Sequence, residues 1–152
     1  VFVYENTINI FCIMHIPGKS PRIITKQCST IDLYSTIAEL AEVKIEKKSE
    51  IQGESLLHLI ENPSAENRAV FVETGGLYGP WPSPEKHNIF CVKMDGKKLI
   101  YNDTPQSWEF YDLKNDPDEL HNKYDENSKQ INDLKKKLIS HFKDNKIITK
   151  LN

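Results

Sequence analysis

Arginine is scarce in this 152-residue chain: of 20 basic side chains only Arg22 and Arg68 carry a guanidinium, and the rest are Lys. Planar, two-pronged recognition of a phosphate or sulfate therefore has few carriers. Net charge is nearly absent as well, 20 basic against 22 acidic side chains giving −2. That balance excludes a general electrostatic grip on nucleic acid or an anionic membrane. No apolar run approaches the roughly 20 residues that span a bilayer. Cysteine is limited to Cys12, Cys28 and Cys91, with no CxxC pair and no Cys/His cluster at zinc spacing. A zinc site or disulfide framework is thus not indicated, and the expectation is three buried structural thiols in a mildly favoured reducing compartment.

What is present is the composition of a soluble globular chain, 38% apolar and 28% charged with a mean hydropathy of −0.55. The length suits one ordinary domain. The chain opens on Val1 with an extended-looking segment, without an initiator Met or a signal peptide. It reads as a processed chain or as a piece of something longer.

Ile8 to Ile16 is a near-continuous apolar run stopped by Pro17-Gly18, the pattern of a strand buried on both faces of a parallel sheet. Such a strand needs neighbours, since each unpaired buried amide or carbonyl costs about 1–3 kcal/mol, and this chain offers few parallel partners. His15, inside the run, reads as a buried structural histidine. Ser29 or Thr30 is the expected N-cap of a helix ending near Glu42, with Leu33, Tyr34, Ile37, Leu40 and Ala41 as its core face. A short helix from Glu54 to Ile60 follows.

The second half reads as strand, hairpin, strand and helix. Ala69 to Glu73 is a compact strand, and Asn88 to Met94 and Lys97 to Asn102 flank Asp95-Gly96, the preferred pair for a type I′ turn. Ser107 to Leu113 adds a strand. Ile131, Leu134, Leu138 and Phe142 form one face of a terminal helix whose lysines read as a solvated surface. The tail from Lys143 reads as loosely held. The fold class is α+β, a small antiparallel sheet packed on a C-terminal helix, with the end of an α/β domain before it. The boundary is expected at residue 62, giving parts 1–62 and 63–152.

The order of local motifs resembles the C-terminal portion of the sulfatases, in the alkaline-phosphatase superfamily. Tyr4-Glu5 before an apolar run and Pro17-Gly18 is similar to the family's YE block. The stretch from Ser29 to Ala41 resembles its STVDLYPTILELAG helix, and Gln52 to Leu57 its DGxSLLPLL turn. Val70 to Glu73 looks like its VFSE strand, Val92 to Tyr101 its hairpin, and Phe110 to Glu119, containing YDLKNDPDE, its most specific closing block. The six blocks keep the family order from about Tyr4 to Phe142.

The resemblance implies a parent that hydrolyses sulfate esters with a formylglycine nucleophile, made in a C/S-x-P-x-R motif, and a divalent ion, usually calcium. Neither that motif nor a paired-Asp metal strand is visible in these residues, so the chain is expected to hold no catalytic residue, metal ligand or cofactor of its own. Its expected partners are an N-terminal catalytic portion and a sulfated small molecule or sugar. Asn9 stands where the family usually has Arg, Lys93 where it usually has Arg, Ser35 where it has Pro and Glu42 where it has Gly. The first change unsettles the usual Glu–Arg pairing near Glu5, and Lys93 is expected in a salt bridge.

The loop Thr74 to His87 carries Tyr78, Trp81 and His87. The resemblance implies that it borders the substrate pocket, where aromatic rings suit a sugar or aryl group. Asp112, Asp116 and Asp118 lack the spacing of an EF-hand and read as a capped turn. Two alternatives stay open: a parent acting on phosphate esters or transferring a phosphoryl group, and a non-catalytic interaction module using an edge near Ile10. The compartment is left open, because sulfatases occur inside and outside cells.

Overall fold

A computed structural model describes residues 2–46, 51–62, 64–74 and 89–151. It forms two compact units, Val1–Ile13 with Phe71–Asn152, and Met14–Val70.

The first unit is built on a four-stranded sheet in sequential order, β1 (Val70–Thr74), β2 (Ile89–Met94), β3 (Lys97–Asn102) and β4 (Ser107–Asp112). The β2–β3 hairpin closes where the sequence predicts: Met94 pairs with Lys97, and Asp95 and Gly96 take φ of 53° and 75°. Two consecutive positive φ values define the type I′ turn, whose twist matches that of the strands. The register aligns Phe90, Tyr101 and Trp108 across the sheet, and likewise Val92, Leu99 and Phe110. These residues share one face. The terminal helix α1 (Lys129–Asp144) covers it, burying Ile131, Leu134, Leu138 and Phe142 as the periodicity predicts. Phe142 meets Phe90 edge-on at 4.8 Å between centroids.

The opposite face was not expected to be covered. Cys91 and Ile100 lie on it, and with Tyr111 they pack against Val3, with Tyr4 and Ile8 at the margin. The first residues of the chain are therefore a third layer. Their extended reading is corrected in part, since Glu5–Ile8 forms a single helical turn. The signal was present in the sequence: Phe90-Cys91-Val92 and Leu99-Ile100-Tyr101 do not alternate with polar residues, and strands of that kind are buried on both faces.

The strand expected over Ile8–Ile16 does not form. Phe11 is 88% exposed, Ile13 86%, and His15 is exposed rather than buried. The physical reason is the one its pattern implied: no strand among the described residues lies beside it to satisfy its backbone. Two further expectations are corrected. Cys91 is buried, but Cys12 and Cys28 are exposed. The tail is held: Thr149 is buried, and the backbone N–H of Lys150 donates to Asp103 Oδ1 at 2.6 Å while its ammonium donates to the Thr104 carbonyl.

The second unit contains helix α2 (Asp32–Leu40) and helix α3 (Leu57–Glu61). The buried side of α2 is the reverse of the expected one. Asp32, Thr36 and Ala38 are buried, whereas Tyr34 is 61% and Ile37 60% exposed. Polar contacts dictate this orientation. Asp32 accepts hydrogen bonds from the Ser29 and Glu54 amides (2.7 and 3.0 Å) and pairs with Arg68, while Thr36 Oγ1 accepts from the Leu56 amide at 2.9 Å. Asp32, and not a Ser29 or Thr30 side chain, thus organises the helix start. Ser35, which stands in place of the family's Pro, donates to the Gly53 carbonyl at 2.7 Å. A Cβ on Gly53 would sit 2.0 Å from the Ile31 carbonyl oxygen, so this approach admits only glycine. Glu42 makes the helix-ending turn in the left-handed conformation, φ 53°, and the Val43 amide reaches back to Ala38. A side chain in that conformation costs about 1 kcal/mol that Gly would avoid.

Asp112, at the end of β4, yields a pH prediction. Lys97 Nζ lies 2.5 Å from its carboxylate, and the Asn115 amide group and the Lys114 backbone N–H also donate to it. These donors hold its pKa at about 2. A lowered folded-state value means the stabilisation is complete above the unfolded carboxyl range near 4 and is lost as pH falls toward about 2. Carbon-detected NMR titration is expected to place the Asp112 inflection near 2. In Lys97→Met the inflection moves up.

Candidate functional site

Within the sheet unit, the most organised charged constellation joins the N-terminal segment to the sheet. Lys98 projects from β3 toward the covering segment and is fully buried. Its ammonium lies 3.2 Å from Glu5 Oε1 and 2.8 Å from Glu119 Oε1. Lys93, two strand positions from Cys91 on the same face, reaches Glu5 Oε2 at 2.5 Å. Glu119 also accepts the Glu5 backbone N–H. Two ammonium groups thus balance two carboxylates, the condition under which charges are tolerated away from water. The pairing unsettled by Asn9 is restored here by two lysines from the sheet, and Lys93 forms its expected salt bridge.

Beside this lock, Glu109 collects three donors. The Tyr4 and Tyr111 hydroxyls reach its Oε2 at 2.9 and 2.7 Å, and Asn102 Nδ2 reaches Oε1 at 2.8 Å. Burial, reinforced by the adjacent carboxylate, raises both phenol pKa values. These tyrosines stay protonated donors. Burial likewise pushes the Cys91 thiol up to about 12, which marks a packing residue and not a nucleophile.

The acidic closing block forms the expected capped turn. Asp116 accepts the Leu120 and His121 amides at 3.0 and 2.9 Å, which lowers its pKa. Glu119 follows in the left-handed region, φ 54°, which turns its carboxylate segment toward Lys98. Phe110 N–H and Tyr124 N–H both donate to Asn122 Oδ1, so Asn122 fastens the chain after β4.

Tyr78, Trp81 and His87 lie outside the described residues. The two strands that bracket their loop are described. At the end of β1, Glu73 Oε1 is 2.7 Å from His141 Nε2, and Phe71 stacks on the His141 ring at 4.1 Å. His141 is thus a packing residue, and exposed His58 meets the Ser55 carbonyl of its own turn. Among the described residues no group of three His, Cys, Asp or Glu side chains is arranged to hold a metal ion. The best-organised carboxylates are already engaged by lysines and backbone amides, a donor set that does not fit a calcium ion. No described helix is long and apolar enough to cross a membrane.

A sequential antiparallel sheet with a terminal helix on one face, closed by the YDLKNDPDE turn, is the C-terminal architecture of sulfatases. The family described as N-sulphoglucosamine sulphohydrolase, C-terminal, matches residues 1–146, and the chain belongs to it. An N-acetylglucosamine-6-O-sulfatase of Bacteroides thetaiotaomicron is 28% identical over 160 residues, covering 95% of this chain and 27% of that protein. A protein solved in complex with its substrate D-glucosamine-2-N,6-O-disulfate is 28% identical, with a TM-score of 0.59 over 78% of this chain and 25% of its own. A sulfatase from the glycosaminoglycan metabolism of Bacteroides thetaiotaomicron has the same fold, with a TM-score of 0.64 at 23% identity over 84% of this chain and 29% of its own. The chain spans about a quarter of the length of these relatives.

The lock can be tested by Lys98→Met. Removing one partner leaves the buried Glu119 carboxylate uncompensated, so urea unfolding at pH 7 is expected to show a loss of about 3–5 kcal/mol. A change below about 1 kcal/mol would contradict the arrangement.

Proposed function

We propose that this chain is the C-terminal part of a sulfuric ester hydrolase acting on a sulfated sugar, and that it is catalytically silent alone. The observation that carries the reading is the match of residues 1–146 to a sulfatase C-terminal family while the chain spans only about a quarter of its relatives. The relatives' substrates support the sugar: one is named for N-acetylglucosamine 6-O-sulfate and another binds a glucosamine disulfate. The divalent ion, calcium by family resemblance, and the formylglycine supply electrophilic and nucleophilic chemistry when present. In this reading both belong to a preceding catalytic portion.

The chain's own contribution is support and shape. In this reading the part before residue 62 completes the main α/β domain and residues 63–152 are the C-terminal subdomain, onto whose sheet Val3, Tyr4 and Ile8 pack. The exposed side chains of Ile10, Phe11 and Ile13 in one unit, and of Ile31, Tyr34 and Ile37 in the other, are surfaces that the catalytic portion covers. Large apolar groups left in water favour such burial by about 25 cal/mol per Å². Tyr78, Trp81 and His87 are assigned to the rim of the substrate pocket, a role that aromatic residue types suit for a sugar ligand. Their support is family resemblance and their position in the sequence between β1 and β2.

The test is sulfate release from N-acetylglucosamine-6-sulfate and from an aryl sulfate, comparing this chain with the longest polypeptide its gene encodes. The longer protein is expected to release sulfate, and the 152-residue chain to give no turnover above buffer. In the longer protein Trp81→Ala is expected to raise KM about tenfold, a loss of roughly 1.4 kcal/mol of binding. Turnover by this chain alone, or hydrolysis of the matching aryl phosphate but of neither sulfate ester by the longer protein, would overturn the reading.

A further inference from the structure

The segment that covers the outer face of the sheet is held there as a bound peptide is held. Glu5 and its partners Lys93, Lys98 and Glu119 stand 88, 93 and 114 positions apart in sequence. Residues 14–70 between them belong to the other compact unit, so the docking rests on contacts and owes little to so long a covalent tie. Each contact has its own chemistry. Val3, 2% exposed, packs on Cys91, Ile100 and Tyr111. The Tyr4 hydroxyl donates to Glu109, and its ring meets Tyr111 edge-on at 6.1 Å between centroids. The Glu5 carboxylate gives one oxygen to Lys93 and the other to Lys98, while its backbone N–H donates to Glu119. The helical turn then brings Ile8 round to the same face and leaves Asn6 and Thr7 exposed. Positions 3, 4, 5 and 8 are thus read by the sheet, and 6 and 7 are not.

We propose that this face is a docking site for a linear peptide of apolar, phenolic and acidic residues in that order, closed by an apolar residue one turn on, and that it holds such a segment without covalent continuity. Its partner is the end of the catalytic portion, to which residues 3–8 belong. The partner's identity rests on the hydrolase reading of the preceding subsection, which the inference deepens: the site is the joint between main domain and subdomain, and a polypeptide cut after residue 13 stays assembled. Selectivity lies in the acid. Without the Glu5 carboxylate the fully buried ammonium of Lys98 keeps Glu119 alone among the described residues, and an undercompensated buried charge is costly. The Tyr4 hydroxyl counts for less, because Glu109 keeps its donors from Tyr111 and Asn102. A merely apolar strip would make no such distinction.

The experiment uses the full 152-residue chain with a protease recognition sequence inserted between Ile13 and Met14, at the division between the two units. After cleavage, residues 1–13 are expected to co-elute with the remainder in gel filtration. A fluorescent synthetic peptide of residues 1–13 should exchange into the cut chain, read by anisotropy, with a Kd below about 100 μM. The same peptide carrying Glu5→Gln should bind at least about tenfold more weakly and Tyr4→Phe about threefold more weakly, whereas Thr7→Ala, at an exposed position, should change affinity less than about twofold. These substitutions are made in the peptide, so they leave the folding of the receiving chain untouched. In a cut chain carrying Lys93→Met, the penalty for Glu5→Gln should shrink at least about twofold. No binding up to about 1 mM peptide, equal binding of the Glu5→Gln and Thr7→Ala peptides, or unfolding on cleavage that excess peptide does not reverse would overturn the proposal. Binding is read without turnover, so its failure and the failure of the hydrolase reading are separate results.

Discussion

The buried ammonium of Lys98 is the constraint on which the sheet unit depends. It sits on the face of β3 that Val3, Tyr4 and Ile8 cover, and only Glu5 and Glu119 make its charge tolerable there. The two carboxylates come from opposite sides of the hairpin in sequence. One belongs to the first helical turn and the other to the turn after β4. A single cation therefore fastens two peripheral segments onto the central hairpin. Apolar residues replacing Lys98, Glu5 and Glu119 together would pack as well, but they would not select these two segments. The ion cluster specifies the arrangement more than it adds net stability.

The second unit follows the same logic with a different outcome. Its buried hub is Asp32 with Arg68 and two backbone amides, so α2 turns its polar side inward and leaves Tyr34 and Ile37 in water. In a self-sufficient domain the hydrophobic effect would have won that competition, because burial of each large apolar side chain stabilises by about 1.5–3 kcal/mol. That the polar set wins is understandable if the apolar side has another surface to meet. This ties the fold to the proposed role: a C-terminal portion whose polar contacts set its internal geometry and whose apolar faces are reserved for the rest of the enzyme.

Legibility in the sequence tracked how local each feature is. The Asp95-Gly96 turn and the 131/134/138/142 stripe were readable because both depend on residues within a few positions of one another. The acidic closing block was also readable as a capped turn, and Asp112 and Asp116 fill that role with backbone donors. Burial of α2 was misread, since which side of a helix is covered depends on what packs against it. The Ile8–Ile16 run was misread for a related reason: its composition describes a strand, and no partner strand stands beside it among the described residues. The third layer was missed even though the unbroken apolar runs of β2 and β3 signalled it. Of the site, the lysine pairing around Glu5 followed from Lys93 in part, whereas Lys98 and Glu119, five and 26 residues further on, gave no local hint. Tyr78, Trp81 and His87 lie outside the described residues, so the pocket rim rests on sequence alone.

The measurement that bears most directly on the central claim is amide hydrogen exchange, on this chain and on the longer polypeptide that contains it. The account predicts strong new protection over residues 9–16 and 31–43 in the longer protein, and little change in β2, β3 and α1. Equal exchange at 9–16 and 31–43 in both proteins would contradict it.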